Sequence, residues 1–186
     1  MNELKFKNWL KKPSNCLIMG IMNTTPDSFS DGGKYNSGSK AIDRAYDLLD
    51  NGADIIDIGG ESSRPGAKPV SAAEEIKRIS PLLIELAKNT DSTISIDTYK
   101  SSTAIYALDN GAHLINDISG MTHDKKMVNI ISRYKVPIVI MHMKGTPKTM
   151  QQNPTYDNII NEISDFLVKQ ANIAISAGVS SEKIII

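Results

Sequence analysis

The sequence predicts an α/β fold of the (β/α)8 TIM-barrel type, and three observations carry that expectation. Short apolar runs rich in isoleucine alternate with amphipathic stretches along the chain, the pattern of strand–helix units joined by right-handed crossovers. The runs are nearly continuous rather than alternating, which suits strands buried on both faces of a parallel sheet. Polar residues stand at the C-terminal end of nearly every run: Asn23, Asp57 with Glu61, Asp97, Asn116 with Asp117, and His142. A barrel gathers all its strand ends around one mouth, so this distribution favours a barrel over a doubly wound open sheet. Neither a G-x-G-x-x-G fingerprint after the first run nor a Walker motif is present.

Taken in order, the N-terminal MNELKFKNWLKKP alternates lysine with apolar residues and builds no signal-peptide core. The strand runs are CLIMGIM from Cys16, ADIIDIG from Ala53, STISID from Ser92, HLINDI from His113, PIVIMHM from Pro137 and KIII at the end. Between the first two, Ser39 to Asn51 places Ile42, Ala45, Tyr46, Leu48 and Leu49 on one helical face, and Gly52 supplies a stop. Ser71-Ala-Ala-Glu74 fits a capping box that opens a helix with Ile76, Ile79, Leu82, Leu83 and Leu86 on its buried stripe. Further helices are predicted over Ser101 to Asn110, Lys125 to Tyr134 and Tyr156 to Ala177. A complete barrel of this type takes ~250 residues, whereas the 186 residues stop on an apparent sixth strand. Residues 1–186 are therefore expected to form one barrel domain truncated after the sixth strand, its C-terminal part missing.

Composition narrows the function. At 40% hydrophobic and 23% charged residues the chain is neither disordered nor fibrous. Lys+Arg and Asp+Glu are both 21, so no basic excess points to nucleic acid or an acidic membrane surface. No apolar run approaches the ~20 residues that span a bilayer. A single Cys16 leaves no internal disulfide, and a cytoplasmic location is expected.

Two loops look built for a ligand. Asn23-Thr-Thr-Pro-Asp-Ser-Phe-Ser-Asp-Gly-Gly33 offers hydroxyls, the carboxylates Asp27 and Asp31, and glycines. It reads either as a polar turn or as a lid over an anionic ligand with oxygens for a hard cation, Phe29 covering a flat substrate. Gly59-Gly-Glu-Ser-Ser-Arg-Pro-Gly66 carries Arg64 between small residues, suited to bidentate contact with phosphate or carboxylate. Asp97, at a strand end after buried isoleucines, must find donors or lose its charge. It reads as a cap for the helix at Ser101 or as an acceptor for a ligand ring. Asn116 and Asp117 pose the same choice, and an asparagine can both donate and accept along a heterocycle edge. His142 reads as structural, while His113 and His123 are expected to face water. No pair has metal-ligand spacing, and no Ser-His-Asp set or strand-end lysine suggests covalent catalysis.

Together the motifs GIMNTTPDSFSDGG (Gly20 to Gly33), DIGGESSRPGA (Asp57 to Ala67), SIDT (Ser95 to Thr98), NDISG (Asn116 to Gly120) and MHMKGTP (Met141 to Pro147) resemble the dihydropteroate synthase family of pterin-binding enzymes. The resemblance implies a (β/α)8 barrel that condenses 6-hydroxymethyl-7,8-dihydropterin diphosphate with 4-aminobenzoate, releasing pyrophosphate, with magnesium (Mg2+) as cofactor. By that resemblance Asp97 and Asn116 hydrogen-bond the pterin, and Ile118 and Met141 line its pocket. Asn23 is the ligand near magnesium. Asp31 and Phe29 belong to the first closing loop; Ser63, Arg64 and Pro65 belong to the second, near aminobenzoate and diphosphate. Asn23, Asp31, Arg64 and Asp97 thus carry the catalytic roles.

Two departures matter. Ser63 stands where the family commonly has threonine, and the family's later motifs do not appear before Ile186. The chain alone is accordingly expected to be inactive or nearly so, and the family's homodimer to form only in a full-length protein. A non-catalytic pterin-binding remnant or assembly partner, and a methyltetrahydrofolate-dependent corrinoid methyltransferase, remain as alternatives.

Overall fold

The structure is a computed structural model that describes residues 1–25, 37–62 and 68–186. Six strands follow one another: β1 (Met19–Asn23), β2 (Ile55–Gly59), β3 (Thr93–Asp97), β4 (Leu114–Asp117), β5 (Ile138–Ile140) and β6 (Ile184–Ile185). They pair in parallel, in the order β1-β2-β3-β4-β5-β6. A doubly wound sheet reverses direction part-way through its strand order. This one never does, so the topology is that of successive barrel units.

Which face the helices cover confirms it. Side chains on a strand alternate, and one set (Met22, Ile56, Ile58, Ile94, Ile96, Ile115, Ile138, Ile140) forms a single core with residues from every crossover helix. Those helices are α2 (Ser37–Asp50), α3 (Ala72–Asn89), α4 (Ser101–Asp109), α5 (Met127–Tyr134) and α6 (Ile159–Ser176). All of them lie on that one face, contributing among others Ala45, Ile79, Leu83, Ala104, Ile131 and Ala174. Each large aliphatic side chain buried there contributes about 1.5–3 kcal/mol.

The opposite, inner face holds a smaller cluster. Phe6, Ile55 and Leu114 are buried together, with Trp9, Leu10, Met19, Val139 and Ile185 packed around them. Phe6 and Trp9 come from a helix the sequence reading does not predict, α1 (Glu3–Lys11). Asn2 caps it by accepting from Lys5 N at 3.0 Å, and it closes the N-terminal end of the inner face.

Local signals explain the remaining boundaries. Ser71 caps α3, accepting from Glu74 N at 3.2 Å; the return arm of the expected capping box is missing because Glu74 pairs with Arg78 instead, at 2.8 Å. Asn158 accepts from Asn161 N and starts α6 three residues after the expected Tyr156. Asn-Gly-Ala occurs twice, at Asn51 to Ala53 and Asn110 to Ala112, and the second needs its glycine: Gly111 has φ +98, and a Cβ there would lie 2.7 Å from the Ala87 Cβ. Burial on both faces holds for β2 and nearly so for β3. It fails for β1, a sheet edge, where Ile21 is 67% exposed on the inner face. Among the described residues no helix is long and apolar enough to cross a membrane.

Candidate active site

In-register parallel pairing builds the site. Asn23 pairs with Gly59, Gly59 with Asp97 and Asp97 with Asn116, so four consecutive strands place these residues in one row. Each lies on the inner face, opposite in phase to the isoleucines that meet the helices. Gly59 leaves the row open: a Cβ there would lie 3.4 Å from Asp97 Oδ2 and 3.5 Å from Asn23 Oδ1. The amide oxygen of Asn23 and the carboxyl of Asp97 thus converge over a bare stretch of backbone. Ile118, two residues past Asn116, shares a small cleft with Asp97, Thr98, Tyr99, Glu61 and Pro147. Met141 follows Val139 on the same face and is 38% exposed at the mouth. Four of the expected ligand contacts, Asp97, Asn116, Ile118 and Met141, therefore gather with Asn23 at one end of the sheet.

Electrostatics separate the carboxyls. Burial pushes the Asp97 carboxyl up to about 8, aided by the negative charges of Asp57, Glu75, Asp117 and Glu61 around it. It caps no helix, because Ser101 N at the start of α4 donates to Asp124 Oδ2 at 2.9 Å; that removes the capping alternative. Asp117 is structural. It is fully buried and accepts from Ser119 N (2.8 Å), Ser119 Oγ (2.7 Å) and Met121 N (3.1 Å). Asn116, one residue earlier and on the inner face, donates from Nδ2 to Asp57 Oδ2 at 3.0 Å. Burial also raises Asp57, tempered by the nearby Ser95 hydroxyl and the Asn116 amide, although Ser95 Oγ and Asp57 Oδ1 complete no hydrogen bond.

The sequence marks Glu61 as a strand-end carboxylate but not the cluster it joins. Lys100 bridges Glu61 and Glu75, the second at 3.0 Å, while Tyr99 Oη also donates to Glu61 and Thr103 Oγ1 donates to Glu75 at 2.7 Å. Burial pushes Glu61 up, but the hydrogen bonds from Lys100 and Tyr99 outweigh it and hold the carboxyl below its usual range. Glu61 Oε2 also accepts from Val70 N at 3.2 Å. The missed signal is periodic: Glu75 lies four residues before Ile79 and eleven before Leu86, on the buried stripe itself.

The histidines divide as well. His123 is exposed and edge-on to Tyr99 with ring centroids 4.3 Å apart. His142 packs edge-on against Phe166 at 5.0 Å, a structural role. His113 departs from expectation: it is half-buried, and its Nδ1 accepts from Ile94 N at 3.0 Å. Burial lowers its basicity.

Phe29, Asp31, Ser63, Arg64 and Pro65 lie outside the described residues. Among the described residues no three His, Cys, Asp or Glu side chains group to hold a metal. A magnesium ion that keeps most of its water and takes one or two protein oxygens fits the single amide oxygen of Asn23 beside Asp97.

Residues 19–186 match the family described as pterin binding enzyme. A dihydropteroate synthase from Synechocystis sp. is 46% identical over 169 residues, covering 91% of this chain and 58% of that protein. A crystal structure of a dihydropteroate synthase from Clostridium difficile in the presence of pteroic acid is similar at TM-score 0.84 and 44% identity, covering 92% of this chain and 63% of the other. The Xanthomonas albilineans enzyme with 4-aminobenzoic acid gives TM-score 0.85 at 36% identity, over 92% of this chain and 60% of the other. The chain spans about three fifths of the length of the curated relatives it matches. With nearly all of its length matched, from the first strand onward, the chain belongs to the pterin binding enzyme family.

Proposed function

We propose that the protein is a dihydropteroate synthase, joining 6-hydroxymethyl-7,8-dihydropterin diphosphate to 4-aminobenzoate. The observation that carries this reading is the inner-face row of Asn23, Asp97 and Asn116, flanked by Ile118 and Met141. Its relatives of known structure supply the ligand class, since their crystals contain pteroic acid or 4-aminobenzoic acid.

In this reading the Asp97 carboxyl and the Asn116 amide hold the edge of the heterocycle, with Ile118 and Met141 against its faces. The methylene C–O bond breaks and the electron pair leaves with diphosphate. Positive charge on the methylene carbon spreads into the ring, where the carboxyl and amide oxygens stabilise it. The aminobenzoate nitrogen then forms the new C–N bond and loses a proton. Its amine needs placement more than activation, so no nucleophilic side chain is called for. Magnesium held at Asn23 Oδ1 would offset the charge of the departing diphosphate. Asp31, Arg64, Ser63, Pro65 and Phe29 are assigned to the closing loops. The lone Cys16, exposed and free, supports a cytoplasmic setting. Dimerisation through helices late in the barrel is proposed for a full-length protein.

Equilibrium binding of 6-hydroxymethylpterin, followed by a condensation assay with labelled 4-aminobenzoate, tests the proposal. Asp97→Ala should weaken pterin binding by roughly 1–3 kcal/mol, the cost of leaving a buried ring donor without its partner. Unchanged binding in that variant would remove Asp97 from the site. Response to methyltetrahydrofolate but not to the pterin would favour a methyltransferase instead.

A further inference from the structure

Asp57 sits where stability alone gives no reason for a carboxyl. It is 4% exposed and occupies the inner face of β2, one position below the Asn23–Gly59–Asp97–Asn116 row. No lysine or arginine pairs with it among the described residues. Its Oδ2 accepts one hydrogen bond, from Asn116 Nδ2 at 3.0 Å. Among the described residues its Oδ1 has no partner, and neither has the buried Oγ of Ser95, its register neighbour on β3. Leaving such groups half-satisfied is costly, and an apolar residue of similar shape would avoid the cost.

What the carboxyl does is choose an orientation. A primary amide has two chemically opposite ends, a carbonyl acceptor and an NH2 donor. An acceptor below Asn116 attracts the NH2, which turns the amide oxygen upward to the mouth. Protonation of Asp57, which burial favours, leaves Oδ2 a carbonyl acceptor and puts the hydrogen on Oδ1 beside Ser95 Oγ. Oδ2 still accepts from the Asn116 NH2, so Asn116 does not turn. Beside Asn116 in the same row, the Asp97 carboxyl and the Asn23 amide oxygen converge over Gly59. A mouth lined with acceptors recognises a ring edge that carries N–H donors and rejects one that presents a carbonyl in their place.

We infer that Asp57 is a positioning residue that fixes the Asn116 amide and thereby selects amino-substituted over oxo-substituted heterocycles. The inference rests on the assignment of Asp97 and Asn116 to the pterin. Titration of the chain with 6-hydroxymethylpterin and with its 2-oxo counterpart, 6-hydroxymethyllumazine, reads the selectivity. The chain should prefer the amino compound by about tenfold or more, the worth of one unpaired buried polar group. Asp57→Leu should bring the two affinities to within about threefold, while Asp57→Asn, which keeps an acceptor for the same NH2, should restore the preference. A leucine variant that keeps the tenfold preference, or an asparagine variant that loses it equally, overturns the proposal. A ligand-free measurement decides the role separately. The side-chain NH2 of Asn116 should exchange slowly in the unsubstituted chain and at the free-amide rate in Asp57→Leu. Free-rate exchange in the unsubstituted chain overturns the proposal even where the leucine variant does not fold. If neither heterocycle binds, the pterin assignment falls, and the exchange rate of the Asn116 amide still decides whether Asp57 holds it.

Discussion

Asp97 and Lys100 carry opposite electrostatic situations a few residues apart, and each yields a prediction. Burial among other carboxyls raises Asp97 from 3.8 to about 8, so the folded chain holds a proton that the unfolded chain has released. Its contribution is therefore most favourable below about pH 4 and declines as pH rises toward about 8, where the full penalty of the buried charge stands. Asp97→Asn should flatten that decline, as urea unfolding at about pH 5 and about pH 8.5 would reveal; equal slopes in both proteins would show that Asp97 titrates normally. Lys100 instead neutralises two carboxyls, Glu61 and Glu75, with all three side chains at most 15% exposed. Lys100→Met leaves both without their cation and should cost about 3–5 kcal/mol of stability in the same assay. Sequence alone points to Asp97 and Asn116, because a polar residue ending an apolar run is visible in one dimension. It marks Asp57 as a strand-end carboxylate but not its role, and does not mark Lys100, because the meaning of both depends on partners 25 to 59 residues away.

At the scale of single elements, close approach decides more than propensity. Gly60 follows β2 and meets α3 so tightly that a Cβ would lie 2.8 Å from Glu75 O and 2.9 Å from Ile79 Cγ2, while Gly60 O accepts from Arg78 Nη1 at 3.1 Å. Gly60→Ala should destabilise by about 1–3 kcal/mol through overpacking, read as a lower melting temperature with unchanged helix content. Helix α1 shows the limit of pattern reading. Leu4 and Phe6 with intervening lysines read as an alternation, yet Asn2, Glu3 and Lys11 are cap and dipole signals for a helix. Only Phe6 of this helix is fully buried, too little apolar periodicity to be recognised. Phe6→Ala should cost about 3–5 kcal/mol; a loss below about 1 kcal/mol in chemical denaturation would mean that α1 is not docked in solution. The five crossover helices, by contrast, are legible to within a few residues because each carries an apolar stripe that meets the sheet.

For the whole molecule, strand order is legible only as alternation; the unbroken sequence of pairing, and the gathering of all crossover helices on one face, needed the structure. Burial grades across the sheet, with β2 buried throughout and β1 and β6 at its edges. Amide exchange should follow that gradient, slowest in β2 and β3 and fastest in β1 and β6. Uniform protection would show that the edges are covered in solution. Neighbour-to-neighbour pairing has a further consequence for synthesis. Each strand–helix unit can dock on the one already made as it leaves the ribosome, since no strand must wait for a later one to be inserted between earlier neighbours. Helix α1 is the exception. Phe6 and its companions pack against β2 and β4 but also against Val139 of β5 and Ile185 of β6. Helix α1, translated before all six strands, thus reaches this set of contacts only once β6 is made, a latch that closes after the sixth strand arrives.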